Sequence, residues 1–78
     1  MDYKFMSLGE VKHHTNLSKT TIYKMISDEI FPPQVKLGKK SVWLESEIEE
    51  IMKAYMAGAD SSALREIVSK LMAARQGG

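Results

Sequence analysis

The sequence predicts a mainly α-helical fold with one small β-hairpin, and three observations carry that prediction. Three stretches repeat apolar residues at helical spacing, and a shorter fourth stands behind a capping signal. Residues 35–44 alternate instead around a glycine. Pro32 and Pro33 separate the first two helical stretches from that alternating segment.

The first helix is announced by "MSLGEV". Ser7 and Glu10 form a capping box, with Met6 and Val11 at the hydrophobic-staple positions, so a helix from about Leu8 to His14 follows. The turn-prone "TN" ends it, and Ser18 then caps a second helix from about Lys19 to Ser27 or Asp28. Leu17 and Ile22 take the staple positions there. Thr21 stands where a capping box wants Glu or Gln, which leaves this cap half made. Stepping about 100° per residue gathers Ile22, Met25 and Ile26 in one arc. Thr20 and Lys24 fall opposite, with Ser27 and Tyr23 leaning that way and Lys19 and Thr21 on the flanks.

"QVKLGKKSVWL" reads as a hairpin: Val35-Lys36-Leu37, a turn at Gly38-Lys39-Lys40, then Ser41-Val42-Trp43-Leu44. A two-stranded hairpin is unstable alone and must lean on the helices. Two short helices joined by a tight turn and followed by a basic hairpin make a winged helix-turn-helix in miniature. A third helix follows in "ESEIEEIMKAYMAG", with Ile48, Ile51, Met52, Tyr55 and Met56 in its stripe and Gly58 as its stop. A last helix, about Ala63 to Arg75, carries Leu64, Ile67, Val68, Leu71 and Met72, and Gln76-Gly77-Gly78 should fray. The chain divides accordingly into a winged unit over residues 1–58 and a C-terminal helical extension over 59–78. The winged core looks complete without the extension, which favours self-association through its stripe, a homodimer. Trp43, Phe31 and the six methionines are expected in the core.

At 78 residues, 44% of them apolar, the chain is one small globular domain rather than a disordered one. It has no cysteine, and "MDYKFMSLGEV" lacks the apolar region of a signal peptide. No apolar run approaches the roughly 18 residues of a spanning helix. A soluble cytoplasmic protein with no membrane partner is the expectation. Adjacent His13 and His14 point about 100° apart on a helix, and no cysteine or carboxylate cluster completes a metal site. No nucleophile–base pair or glycine-rich phosphate loop stands out, so the sequence points away from an enzyme and implies no cofactor.

Net charge is only +1, but its distribution is uneven. Residues 1–44 hold seven lysines against four acids, and residues 45–78 hold four bases against six acids. Residues 11–27 and 34–44 contain three lysines each and no acid, the footprint of a phosphate-binding face. Ser18 and the free N–H groups at the start of the second helix suit a phosphate. Thr20, Tyr23 and Lys24 are best aimed at base edges or the opposite strand, and Thr21 could substitute through a thymine methyl. Lys39 and Lys40 suit phosphate without reading sequence.

"MSLGEVKHHTNLSKTTIYKMI", "FPPQVKLGKKSVW" and "ESEIEEI" together resemble the AlpA family of small phage and prophage regulators, relatives of excisionases and of MerR-type winged-helix domains. The resemblance spans about Phe5 to Tyr55. It implies a double-stranded-DNA-binding transcriptional regulator of a phage or mobile element, with the second helix in the major groove and the hairpin along the backbone or minor groove. Carried over by position, Ser18, Lys19, Thr20, Thr21, Tyr23 and Lys24 belong to the reading helix, and Lys36, Lys39, Lys40 and Ser41 to the wing. The family more often has arginine at positions 19, 24 and 39–40, glycine at Glu29 and tryptophan at Ile51. Lysine lacks the bidentate fork that reads guanine, so strong salt dependence and modest specificity are expected. Two alternatives stay open. An excisionase-like factor would bend attachment-site DNA and direct recombination with an integrase partner. A protein-interaction module would use the same helical face on a regulator instead of DNA.

Overall fold

The computed structural model describes residues 3–77. Along the chain these form β1 (Phe5–Ser7), α1 (Leu8–Thr15), α2 (Lys19–Ser27), β2 (Val35–Leu37), β3 (Lys40–Leu44), α3 (Glu45–Met56) and α4 (Ser61–Gly77). The architecture is mostly helical, with a three-stranded antiparallel sheet in the order β1-β3-β2.

The capping box forms as the sequence requires. Glu10 N–H donates to Ser7 Oγ at 3.2 Å, and Ser7 N–H donates to the Glu10 carboxylate at 2.9 Å. The Ser7 backbone N–H chiefly, then its hydroxyl contact, holds the Glu10 carboxyl below its ordinary pKa. α1 ends on Asn16 in the left-handed region, one residue beyond the expected His14–Thr15 boundary.

β1 is the element the sequence reading missed. Its three residues include Met6, which the sequence marks only as a staple residue. Met6 pairs with Trp43, Phe5 with Leu44 and Ser7 with Val42. The strand makes β3 central, and it supplies the third strand that a bare hairpin lacks. Met6 thus serves both as staple and as a core-facing strand residue, and it is buried.

The hairpin has the expected strands but a tighter turn. Leu37 pairs with Lys40, so Gly38 and Lys39 alone make the turn and Lys40 belongs to β3. Gly38 adopts φ +62°, a backbone shape that suits glycine at the first central position of a two-residue hairpin turn.

The core gathers one or two residues from nearly every element. Val11, Ile22, Phe31, Trp43, Ile48 and Ile51 are fully enclosed, each removing apolar surface worth about 1.5–3 kcal/mol from water. α3 closes on Gly58 at φ +81°. There Gly58 N–H reaches the Tyr55 carbonyl and Ala59 N–H the Ala54 carbonyl, a Schellman pair.

α4 starts two residues earlier than expected, with Asp60 as its cap: Ala63 N–H donates to Asp60 Oδ1 at 2.9 Å. It continues through Gln76 to Gly77, where fraying was expected; Gly78 lies outside the described residues. Leu64 and Val68 are buried in the common core, and Ile67 and Met72 pack against it. The expectation that the core is complete without this helix, leaving its stripe for a second copy, is therefore not met. Four of the five stripe residues pack on the chain's own core, and Leu71 stays half-buried outside it. Arg75 pairs with the buried Glu47 carboxylate through Nε at 2.8 Å and through Nη2.

Candidate nucleic-acid interface

α2 is held from one side and open on the other. Ile22 is fully buried, and Met25 and Ile26 pack half-buried against the core. Lys19, Thr20, Thr21 and Lys24 are exposed, and the first turn contains no acid. The inward arc is the one that helical spacing predicts.

Ser18 works as the cap. Its Oγ accepts from Thr21 N–H at 3.2 Å and donates to Thr21 Oγ1 at 2.9 Å. The cap stays half made: the Thr21 hydroxyl meets the Ser18 hydroxyl and not the Ser18 backbone N–H that a capping-box carboxylate would take. Both hydroxyls are thus engaged with each other, which leaves an uncharged helix start. An acid at the third helical position would have set a negative charge at this mouth. Its absence favours an anion beside the helix N-terminus.

Tyr23 departs from the expected outward orientation. It is half-buried, and its ring meets Trp43 edge-on with centroids 6.2 Å apart. The ring is part of the joint between α2 and the sheet. This contact also fixes which sheet face lies against α2, the one that carries Trp43.

Pleating then sorts the hairpin residues. Ser41 is two residues from Trp43 and pairs with Lys36, so Lys36 and Ser41 share the α2-side face. Lys39 stands at the exposed turn. Lys40 pairs with Leu37 and points to the opposite face with Val42 and Leu44. The pleat thus puts Lys36 and Ser41 on the face toward α2 and Lys40 on the other, with Lys39 at the turn between the strands.

The segment joining α2 to β2 is the feature that sequence reasoning missed. Phe31 and Pro32 are buried, and prolines offer no N–H of their own. Four carbonyls of this short connection are held by side chains from elsewhere. Arg65 Nε donates to the Asp28 carbonyl at 3.2 Å and Tyr55 Oη to Ile30 at 3.0 Å. Trp43 Nε1 donates to Pro32 at 3.1 Å and Arg75 Nη2 to Pro33 at 2.8 Å. Partial burial pushes the Tyr55 phenol above its ordinary pKa, which keeps it protonated and donating. A sequence signal existed for one of these. Glu47 lies one helical turn before Ile51 on the inward stripe of α3, an acid in a position that demands a buried partner.

Among the described residues no group of His, Cys, Asp and Glu side chains could hold a metal ion, and no helix is long and apolar enough to cross a membrane. His13 and His14 are both exposed on α1.

Residues 4–56 match the family described as prophage CP4-57 regulatory protein (AlpA). The matched span takes in β1 through α3 and stops before α4. Over 56 residues the chain is 46% identical to the uncharacterized protein ORF88 of Enterobacteria phage P4. That alignment covers 70% of this chain and 64% of the relative, so the chain spans somewhat less than two-thirds of the curated protein it matches. No solved structure matches it. With more than half of its length under the family match, the chain belongs to the AlpA family of phage regulatory proteins.

Proposed function

We propose that this protein is a duplex-DNA-binding transcriptional regulator of a phage or mobile element, built as a winged helix-turn-helix. α2 enters the major groove, and the β2–β3 hairpin is the wing on the flanking backbone or minor groove. The observation that carries this reading is the acid-free outward arc of α2, Lys19, Thr20, Thr21 and Lys24, beside a hairpin that adds Lys36 and Ser41 on one face and Lys39 at its turn. Membership of a regulatory phage family supports the same use.

Each residue then has a distinct task. The free N–H groups of Lys19 and Thr20 behind the Ser18 cap receive a phosphate. Thr20 and Lys24 face base edges, and Thr21 offers its methyl to a thymine. Tyr23 reaches the DNA only at the rim of its joint with Trp43. Lys36, Lys39 and Ser41 engage backbone phosphates, and Lys40 does so across the hairpin tip. Residues 1–58 form the DNA-binding unit, and residues 59–78 are an extension that braces it.

Because every cation on this surface is a lysine, affinity rests on phosphate neutralisation more than on guanine-specific pairing. Titrating a duplex from the protein's own upstream region at several salt concentrations tests this. Neutralising about four to six phosphates gives a log–log slope near −4 to −5. A flat salt response, or no binding at the lowest salt, would sink the reading.

A further inference from the structure

The connection between α2 and the hairpin is short and proline-bearing, exposed at Asp28 and Glu29 and buried at Phe31 and Pro32, and four of its backbone carbonyls accept from donors outside the segment. The buried stretch needs such donors, because unsatisfied backbone groups are costly away from water. Here the donors come from three other elements: Trp43 on β3, Tyr55 on α3, and Arg65 and Arg75 on α4. The two arginines bracket the connection, one at its first carbonyl, Asp28, and one near its last, Pro33. They are the chain's only arginines, and both lie beyond the family-matched residues 4–56.

Arginine is the residue best suited to DNA, yet neither one stands on the lysine-bearing face. Arg75 is committed to the buried Glu47 carboxylate and to the Pro33 carbonyl. Arg65 donates to the C-cap residue of α2, where the helix dipole also favours a cation. We propose that α4 is a positioning element for DNA binding: Arg65 and Arg75 clamp the segment that fixes the hairpin relative to α2, without touching DNA themselves.

This rests on the DNA-binding reading above and adds a cause for affinity to it. Two rigidly related surfaces engage a duplex as one body. Once the connection loosens, the ordering that the clamp supplies in advance must be supplied on binding.

Two variants separate positioning from simple stability. Arg65→Gln removes the clamp at Asp28 from an exposed residue, so it leaves no buried charge behind. The double variant Glu47→Leu/Arg75→Met replaces the ion pair by apolar groups, an exchange that often leaves stability unchanged or raised, and frees the Pro33 carbonyl. Both are titrated with the same duplex under conditions where circular dichroism shows full folding. The expected result is affinity about tenfold weaker in each, with the salt slope of the unaltered protein. Unchanged affinity in the folded variants overturns the clamp and leaves the DNA reading standing. A salt slope reduced by about one overturns it differently, by showing that an arginine meets phosphate directly. If the double variant does not fold, Arg65→Gln decides alone. Failure of the unaltered protein to bind duplex removes both the clamp and the reading beneath it.

Discussion

Glu29 stands in the left-handed region at φ +64°, immediately after α2. Its N–H reaches the Ile26 carbonyl and Ile30 N–H reaches the Met25 carbonyl, each at 3.0 Å, so Glu29 occupies the glycine position of a Schellman motif. That accounts for the glycine expected there from the family resemblance. The exposed glutamate side chain bears a steric cost that glycine avoids. Glu29→Gly is predicted to raise stability by about 1 kcal/mol, or about 4–8 °C in Tm for a domain of this size. Thermal unfolding checks it, and a lower Tm would mean that the glutamate makes a compensating contact. At the same scale, Ser18 and Thr21 show what single-residue reading misses. Threonine lacks the carboxylate of a capping box, yet its hydroxyl pairs with the Ser18 hydroxyl and leaves the helix mouth free of negative charge.

At the level of elements, the hairpin yields a prediction that residue types alone do not. Lys36 and Lys40 are both exposed lysines, but the pleat sends Lys36 to the Trp43 side with α2 and Lys40 to the other. Lys36→Gln should therefore weaken duplex binding and lower the salt slope by about one, while Lys40→Gln changes the slope by less. Equal effects would mean that the hairpin lies against DNA edge-on. The helices were legible because each carries a local signal: the Ser7–Glu10 box, the Ile22–Ile26 arc, the Gly58 stop. β1 was not, because three residues have no period of their own and acquire a partner only once β3 is in place. The one-residue error at Lys40 has the same origin, since register is decided by pairing across strands. The outward arc of α2 was legible for its lysines and threonines but not for Tyr23, whose joint with Trp43 depends on a residue 20 positions away.

Across the whole molecule, the division of cations is the organising feature. Lysines populate the outward face of α2 and the hairpin, while both arginines hold backbone carbonyls of the α2–β2 connection, Arg65 at the surface and Arg75 partly buried. Pattern along the chain located the first set, whereas the second is visible only after α4 folds back onto the core through Leu64 and Val68. Composition therefore pointed to an exposed, lysine-bearing surface within the first 44 residues, but it gave no hint of how that surface is held in shape. The most direct test of the account is an NMR titration of the isotopically labelled protein with duplex DNA, following each backbone amide. The account predicts that shifts concentrate at residues 18–24 and 36–41, with the outer surfaces of α3 and α4 little changed. Shifts centred instead on the acidic face of α3, or none at any duplex concentration, would contradict it.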